Sequence, residues 1–437
     1  MSLTLRHDAA LAPRATTRLL HGLVGEGAPD PGLRTHLDRW GELHHQPHRL
    51  IDELEASGLA GHGGAWFPVA AKWRAVAGAS RRRPVVVANG GEGEPASRKD
   101  ALLLSRAPHL VLDGLALAAS TLRAQQAIVY VPASSVPTVG AALAERRAHR
   151  LDPIAIELAE APDTFISGQE SAVVNALGGR RGAVPSFVGL TTIRERGVGG
   201  RPTLVQNVET LAHVGLVARF GADWFRGVGT AANPGTMLLT VGHPGGPLVV
   251  EAALGSSLRA AAGVGEDDLA RTRAFLLGGY GGAWVSPQVF AELPVAEKAA
   301  RRAGATLGAG VIVPLPRDVC PLAEMADVVL YMERQGAGQC GPCVHGLAEL
   351  AGTMHRMAYG GPGGPHHDRI LEICTLVEGR GACRHPDGVA RFVRTGLGVF
   401  ADEVASHQRR GPCPQTRAAR VLPVAGRTAT RRLVSRA

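Results

Sequence analysis

Short apolar runs alternate with helical patterns over the first half of the chain. Apolar runs at Val85–Ala88, Gln126–Ser134 and Pro153–Leu158 are each short enough to be buried strands. Between them, Ala107–Leu122 and Val136–Arg150 have the spacing of helices. This β-α-β-α-β alternation predicts a doubly wound α/β domain, with ligand-binding loops at the ends of its strands.

The pattern changes twice further along the chain. After residue 235, short strands separated by Gly/Pro turns predict a small α+β module, and Leu322–His407 has only helical periodicity. We therefore expect five successive parts: a lead-in at 1–45, an α/β domain at 46–235, an α+β module at 236–320, a helical domain at 321–410 and a basic, disordered tail at 411–437.

Composition excludes several classes of protein. The net charge is +9, but six arginines and no acid lie between Pro414 and Ala437, so the charge does not indicate a nucleic-acid-binding face. No apolar run is long enough to span a membrane, and the charged start does not resemble a signal peptide, so we expect a cytoplasmic protein. Six cysteines in 437 residues predict metal or redox chemistry rather than a disulfide scaffold.

A glycine-rich loop precedes the predicted helix near Val69–Val76. It reads Gly61-His62-Gly63-Gly64-Ala65-Trp66-Phe67-Pro68 and is followed by Lys72. Consecutive glycines let backbone N–H groups approach a phosphate, and a lysine one turn into the helix can meet the same charge. The alternative is a glycine-rich turn in which Trp66 and Phe67 only pack.

Three further loops carry polar groups suited to a ligand. The segment from Asn89 to Pro95 follows a predicted strand, and Asn89, Glu92 and Glu94 can bond a heterocycle edge or sugar hydroxyls. The alternative for this loop is a solvated acidic turn. The motifs Phe165–Glu170 and Gln206–Thr210 also fit two capped helix starts.

The cysteines include one close pair. Cys340 and Cys343 form a C-x-x-C turn, and Cys383 follows forty residues later. Such a turn places two thiolates on one metal centre, although a redox dithiol and a structural zinc pair remain alternatives. Cys320, Cys374 and Cys413 are isolated in the sequence, and the surroundings of Cys374 are typical of a core position.

Taken together and in this order, the motifs resemble the NADH-oxidising flavoprotein subunit of respiratory complex I and of soluble NAD-linked hydrogenases and formate dehydrogenases. GHGGAWFP with Lys72 is similar to GRGGAGFP…K, NGGEGEPASRKD to NADESEPGTFKD, FISGQESAVVNALGGRRG to YICGEETALLNSLEGRRG, and RPTLVQNVETLAHV to KPTVVNNVETLANV. The resemblance covers about Ile51–Val404. It implies a Rossmann-like FMN domain, a β-grasp-like "SLBB" module and a helical domain that holds a [4Fe–4S] cluster.

The resemblance also implies roles for individual residues. Phe67 and Glu94 would contact the nicotinamide nucleotide, with Glu94 at the reacting end, and Cys340, Cys343 and Cys383 would bind iron. The remaining implied site residues would hold FMN: Gly61, Gly63, Gly64, Lys72, Asn89, Glu92, Gly168, Glu170, Gln206 and Asn207.

Several positions depart from the family motifs. His62 and Trp66 replace an arginine and a glycine, Gly91 replaces an aspartate, and Gln169 replaces a glutamate. Phe165 and Gln206 likewise replace a tyrosine and an asparagine, and Ala337 stands at the position of the first cluster cysteine. Three outcomes are open for the cluster: a three-iron or labile form, a fourth ligand from His345, another cysteine or water, or no cluster.

The expected function is transfer of electrons from NAD(P)H through FMN and an iron–sulfur cluster to a partner protein or a quinone-linked chain. The partner would be a thioredoxin-like [2Fe–2S] subunit or a ferredoxin-type carrier, with any membrane contact made through partners. The alternative is a degenerate family member that serves as a non-catalytic binding or assembly module.

Overall fold

The computed structural model describes residues 17–23, 30–43, 47–79, 82–179 and 193–424. The first residues of the predicted lead-in, residues 425–437 of the predicted tail and the arginine pair of the GGRRG motif lie outside the described residues. Within the described ranges, a parallel sheet with helices comes first, a mixed sheet second and a group of helices last. The predicted α/β fold class with a helical C-terminal part is confirmed.

The first sheet is parallel throughout its described strands, which lie in the order β3-β2-β1-β4. The strands are β1 (Val85–Asn89), β2 (Gln126–Pro132), β3 (Ile156–Ala161) and β4 (Thr203–Asn207). The apolar part of β1 is buried, as expected for a parallel strand covered on both faces. Asn89 pairs with Asn207 in the β1–β4 register, so two polar side chains end neighbouring strands at the same edge.

Helices cover this sheet. They are α1 (Leu33–Trp40), α2 (Leu50–Ser57), α3 (Val69–Gly78), α4 (Lys99–Arg106), α5 (Pro108–Thr121), α6 (Val136–Ala148), α7 (Glu170–Leu177) and α8 (Val208–Arg226). Gly58 ends α2 in the left-handed conformation that glycine favours. A Cβ at Gly114 would lie 2.1 Å from the Leu211 carbonyl oxygen, so α5 and α8 cross at a distance that only glycine permits.

The second sheet is mixed, with the order β6-β5-β9-β7-β8. Its strands are β5 (Thr236–Val241), β6 (Leu248–Ala253), β7 (Thr272–Leu277), β8 (Ala283–Val285) and β9 (Val311–Pro316). Four short helices accompany it in the described chain: α9 (Leu258–Ala261), α10 (Glu266–Arg271), α11 (Pro287–Glu292) and α12 (Glu297–Arg302). The sheet has its own apolar core, in which Phe275 stacks on Phe290 with ring centroids 3.7 Å apart.

The C-terminal part is helical, as predicted from Leu322–His407. Its helices are α13 (Pro321–Arg334), α14 (Leu347–Tyr359), α15 (His366–Val377), α16 (His385–Val399) and α17 (Ala401–Arg410). Residues 411–424 differ from the expected disordered tail because they pack onto this part of the molecule. The N–H groups of Val421 and Leu422 donate to the buried Glu324 carboxylate at 2.9 and 3.0 Å.

In the described ranges, no single helix is long and apolar enough to cross a membrane. The helices α4 and α5 together have the length and apolar composition of a span, but a bend of 95° separates them.

Candidate functional site

The polar loops singled out in the sequence converge at the carboxyl-terminal edge of the parallel sheet. The Asn89 side chain follows β1, donates through Nδ2 to the Gly168 carbonyl at 2.8 Å and accepts from the Gly91 N–H at 3.1 Å. It therefore ties the Asn89–Pro95 loop to the Phe165–Glu170 segment. Both hydrogen-bonding groups of Asn89 are occupied, so the side chain shapes the loop.

Two glycines let these segments approach very closely. A Cβ at Gly93 would lie 2.2 Å from the Phe165 carbonyl oxygen, and one at Gly168 would lie 2.1 Å from the Gly91 carbonyl oxygen. Neither position leaves room for a side chain, because the neighbouring atoms belong to the backbone. Gly168 was predicted to bind cofactor, and its position beside Gly91 places it within the same group of loops.

The glycine-rich loop closes over the adjacent strand β4. Gly61 N–H donates to the Phe67 carbonyl at 2.9 Å, which closes the loop at its base. A Cβ at Gly63 would lie 3.3 Å from Cβ of Asn207, so this part of the loop lies against the end of β4. Phe67 projects from the loop with 43% of its surface exposed.

Lys72 connects three of the four motifs. It lies one turn into α3, and its Nζ donates to the Glu170 carboxylate and, at 2.6 Å, to the Val205 carbonyl in β4. The predicted cofactor residues Lys72 and Glu170 therefore form an ion pair in this structure. The ammonium lies between the glycine-rich loop and the end of the sheet.

A buried charged network lies beneath these loops. Lys99 Nζ lies 2.7 Å from the Asp100 carboxylate and 2.9 Å from that of Glu209, and Asp100 accepts from Asn207 Nδ2 at 2.7 Å. The Glu92 carboxylate accepts the N–H groups of Asp100 and Ala101 at 3.2 and 3.1 Å. Asn207 and Glu92 are thereby fixed by α4. Lys99 and Asp100 match a family motif, but the motif alone gave them no role.

Two of the motif departures lie together behind the glycine-rich loop. His62 is buried, its N–H donates to the Thr210 hydroxyl at 2.9 Å, and its ring lies 5.1 Å from that of His213. Burial lowers the pKa of each imidazole to about 3, so both rings are neutral near pH 7. A neutral His62 therefore stands where the family motif has a cation.

Trp66 turns away from the loop. Its backbone adopts φ of 56°, the left-handed region that glycine favours, and its indole packs against the core of the second sheet. The ring meets His62 edge-on at 5.4 Å. The indole is thus accommodated by the neighbouring sheet.

Glu94 anchors its loop to the second sheet. Its carboxylate accepts the Tyr280 N–H at 2.7 Å and the Ala96 N–H at 3.2 Å, and a Cβ at Gly279 would lie 2.3 Å from Oε2. Burial raises the pKa of Glu94 to about 7, against the effect of the two N–H donors. A carboxyl group that titrates near neutrality can hold or release a proton at physiological pH.

The three predicted iron ligands come together in the helical part. The Cys343 thiol, in a one-turn π-helix before α14, hydrogen-bonds Cys340 and lies within electrostatic range of Cys383. Burial raises the pKa of Cys343 to about 12 and raises that of Cys383. Ala337 packs in the same apolar cluster as Cys383, so the missing cysteine position faces this group.

The thiol group adjoins the loops at the sheet edge. Phe165 N–H donates to the Gln335 side chain at 2.8 Å, and Ile166 packs in one cluster with Cys383. The segment Phe165–Gly168 therefore touches both the loop Gly91–Gly93 and Cys383.

Comparison with known proteins supports the family resemblance seen in the sequence motifs. A family model described as the Nuo51 FMN-binding domain matches residues 54–216, and one for the NADH-ubiquinone oxidoreductase-F iron–sulfur binding region matches residues 323–407. The F subunit of NADH-quinone oxidoreductase from Mycobacterium bovis is 30% identical over 398 residues, which cover 84% of this chain and 86% of that protein. The chain belongs to the family of NADH-quinone oxidoreductase F subunits. The resemblance seen in the sequence is confirmed.

Further members of this family and solved structures agree. A second F subunit of NADH-quinone oxidoreductase, from Rhizobium meliloti, is 28% identical and is covered over 90% of its length, with 84% of this chain aligned. The crystal structure of an NAD+-reducing [NiFe]-hydrogenase in the H2-reduced state matches with a TM-score of 0.75 and 26% identity over 85% of this chain. The chain spans 63% of the length of that hydrogenase chain.

The loops of this NADH-quinone oxidoreductase family member fit a flavin mononucleotide. The Gln206 carbonyl oxygen Oε1 is buried without a hydrogen-bond partner, and a Cβ at Gly61 would lie 3.6 Å from Nε2 of the same side chain. An unpaired buried acceptor beside a glycine-rich loop and a lysine is the donor and acceptor set that a phosphorylated heterocycle requires.

The cysteines of the helical part fit an iron–sulfur cluster of this family at three positions. The three thiols lie within electrostatic range of one another, whereas Ala337 provides no ligand for a fourth iron. His345, one suggested replacement, is exposed. His385 is buried, its Nε2 lies 2.8 Å from the Met332 carbonyl oxygen, and its Nδ1 has no hydrogen-bond partner.

Proposed function

We propose that this chain oxidises NADH through FMN and passes the electrons singly to an iron–sulfur cluster. The observation that carries the proposal is the shared segment Phe165–Gly168, which touches the loop Gly91–Gly93 at the sheet edge on one side and the thiol group with Cys383 on the other. FMN supplies the required chemistry because it accepts two electrons from a nicotinamide and releases them one at a time.

The residues of the sheet edge bind and orient the cofactor. Lys72 and the backbone of Gly63 and Gly64 would hold its phosphate, and Asn207 and Glu92 are kept in place by the Lys99–Asp100–Glu209 network. The rest of the proposed cofactor site would be lined by Asn89, Gly168, Glu170 and Gln206. The two neutral histidines, His62 and His213, fill the buried space behind the loop.

The nicotinamide nucleotide would bind on the exposed side of the same loop, where Phe67 projects. Phe67 presents an exposed aromatic face on which a base can stack, and the Arg194 guanidinium lies 5.2 Å from the centre of that ring. Glu94 keeps its loop against Tyr280, and because burial raises its pKa to about 7 it would be able to hold a proton near the nicotinamide.

Cys340, Cys343 and Cys383 would hold three irons of the cluster, and the unpaired Nδ1 of His385 would be available to the fourth. Because the Met332 carbonyl can only accept a hydrogen bond, the His385 ring proton is on Nε2, and Nδ1 carries the free lone pair. His385 follows Cys383 by two residues, and its backbone N–H donates to the Cys383 sulfur. The chain's acceptor is a thioredoxin-like [2Fe–2S] subunit or a ferredoxin-type carrier.

The test is the visible spectrum of protein purified without oxygen, before and after addition of NADH. We expect flavin bands that bleach with NADH and a broad cluster shoulder. The variant Lys72→Gln removes one charge-assisted hydrogen bond, so we expect FMN to bind about 10- to 100-fold more weakly, measured by fluorescence titration of flavin-depleted protein.

Lys298→Gln is the matched control, because Lys298 is an exposed lysine on α12. Its flavin affinity should equal that of the unmodified chain. Protein that stays colourless after reconstitution with FMN, iron and sulfide would contradict the proposal and favour the alternative of a non-catalytic binding module.

A further inference from the structure

Three residues far apart in the sequence meet at the C-terminal end of the helical part. Cys320, His407 and Cys413 each offer one ligand atom, and these atoms all lie within 4.8 Å of one another. Cys320 and His407 are buried, and Cys413 is partly exposed. This group shares no residue with Cys340, Cys343 and Cys383.

The His407 ring is oriented for coordination through Nε2. Its Nδ1 lies 3.3 Å from the Met357 carbonyl oxygen, so Nδ1 carries the proton and the lone pair is on Nε2. That lone pair accepts the Cys413 N–H at 3.3 Å and faces the Cys320 sulfur at 3.6 Å. Metal-bound histidines commonly donate their second ring N–H to a backbone carbonyl in this way.

The spacing of the ligand atoms matches a tetrahedral zinc ion. With Zn–S of about 2.3 Å and Zn–N of about 2.0 Å, sulfur and nitrogen at tetrahedral angles are about 3.5 Å apart. The observed separation of Cys320 Sγ and His407 Nε2 is 3.6 Å. The thiol and imidazole ligands exclude Ca²⁺ and Mg²⁺, which prefer oxygen ligands.

Two backbone N–H groups are directed at the Cys320 sulfur, although burial of the thiol raises its pKa to about 12. Cys320 precedes the first turn of α13, and the N–H groups of Leu322 and Ala323 donate to its sulfur. Two thiolates and a Zn²⁺ ion sum to zero charge, which is the form that a largely buried site accepts at least cost.

We propose that Cys320, His407 and Cys413 form a zinc site that fastens the C-terminal segment 411–424 to the helical part. Its ligands come from the start of α13, the last turn of α17 and the segment after α17, which are joined here by no disulfide among the described residues. The fourth position faces the partly exposed side at Cys413 and is left to water.

Zinc and iron content per chain, measured by mass spectrometry on protein purified without oxygen, tests the proposal. We expect about one zinc per chain in the unmodified protein, and at least tenfold less in Cys320→Ser and Cys413→Ser. The control Cys343→Ser should lose iron and keep zinc, which separates this site from the iron–sulfur ligands. Failure of the flavin proposal would leave the zinc result unchanged.

A second readout covers the case in which Cys320→Ser fails to fold. Arg417 and Arg420 lie in the fastened segment, so a zinc chelator should accelerate tryptic cleavage there in Cys343→Ser protein. The double variant with Cys343→Ser and Cys413→Ser should be cleaved rapidly with or without chelator. Three results would each overturn the proposal. They are absence of zinc from the unmodified protein, a zinc content in Cys320→Ser and Cys413→Ser equal to that of the unmodified protein, and a Cys320–Cys413 disulfide in place of the metal.

Discussion

At the scale of single residues, the iron site depends on one replaced position. Ala337 packs beside Cys383 where the family motif has a cysteine, and the buried His385 has a ring nitrogen without a partner. A histidine is a neutral ligand, whereas a thiolate carries a charge, and fewer negative charges around a cluster raise its reduction potential.

The variant Ala337→Cys tests whether His385 replaces the missing cysteine as a cluster ligand. It restores a four-cysteine set, so we expect a cluster with a lower reduction potential, measured by redox titration with electron paramagnetic resonance. His385→Leu in the unmodified background should yield less iron per chain. In the Ala337→Cys background the same change should have little effect on iron content. Equal potentials and equal iron in all variants would show that His385 is not a ligand.

Candidate site residues could be predicted from the sequence where they belong to a motif. Contacts between residues far apart in the chain could not. The types and spacing of Lys72, Asn89, Glu92 and the three clustered cysteines predicted their chemistry, and the structure brings the first three to one edge of the sheet. Cys320 and Cys413 looked isolated, because their contact with His407 depends on how α13 and α17 pack. Spacing along the chain does not report such packing.

At the scale of elements, glycines set how closely the loops of the site approach. Gly93→Ala would place a Cβ 2.2 Å from the Phe165 carbonyl oxygen, so the two segments must separate. We expect this variant to lose FMN affinity by about tenfold or more, with a thermal transition lowered by several degrees. Flavin titration and circular dichroism measure the two effects.

Gly78→Ala is the matched control in the same domain. Gly78 is an exposed helical residue with open space at its Cβ position, so alanine should leave flavin affinity unchanged and slightly stabilise α3. Unaltered flavin binding by Gly93→Ala would mean that the loops tolerate separation and do not form the site.

Helices and strands with a clear apolar period were predicted correctly. Strands whose apolar pattern is interrupted by proline or polar residues were missed. The strands β1 and β2 and the helix α5 match their predicted positions closely. The strand β9 was not predicted, because Pro314 and Pro316 interrupt its apolar pattern. The strand β4 was interpreted only as part of a motif, since it ends in the polar pair Gln206–Asn207.

At the scale of the whole molecule, the C-terminal segment joins the helical part to the second sheet. Glu324 on α13 accepts two N–H groups of this segment, and the Tyr280 hydroxyl, next to the second sheet, donates to the Pro423 carbonyl. Arg420 bonds Asp327 at 2.8 Å. The charged composition of the tail suggested disorder, but its apolar residues, Val421 and Leu422 among them, pack on the core of the helical part.

The stability of this arrangement should depend on pH through Glu324. Burial raises the pKa of Glu324 to about 7, from an ordinary value of 4.5. The folded chain therefore holds this proton more tightly than the unfolded chain, and the resulting stabilisation of roughly 3 kcal/mol is present below pH 4.5 and lost as the pH rises to about 7. Glu324→Gln cannot titrate and should flatten the fall in melting temperature over that range.

Melting temperatures of both chains at pH values from about 5 to about 8 provide the measurement. Glu292→Gln, which changes a glutamate on α11 away from this segment, should keep the pH dependence of the unmodified chain. If Glu324→Gln shows the same pH dependence as the unmodified chain, Glu324 is not the titrating group.

The anchoring of Glu94 has a consequence for how this chain can be divided. Its loop borders the flavin-binding edge, its carboxylate is held by Tyr280 beside the second sheet, and the neighbouring segment at Phe165 is held by Gln335 of the helical part. A fragment cut at either boundary would lose a wall of the site along with the removed piece. The parallel-sheet domain, the second sheet and the helical part therefore form one unit. Recombination with related chains would have to exchange all three parts together.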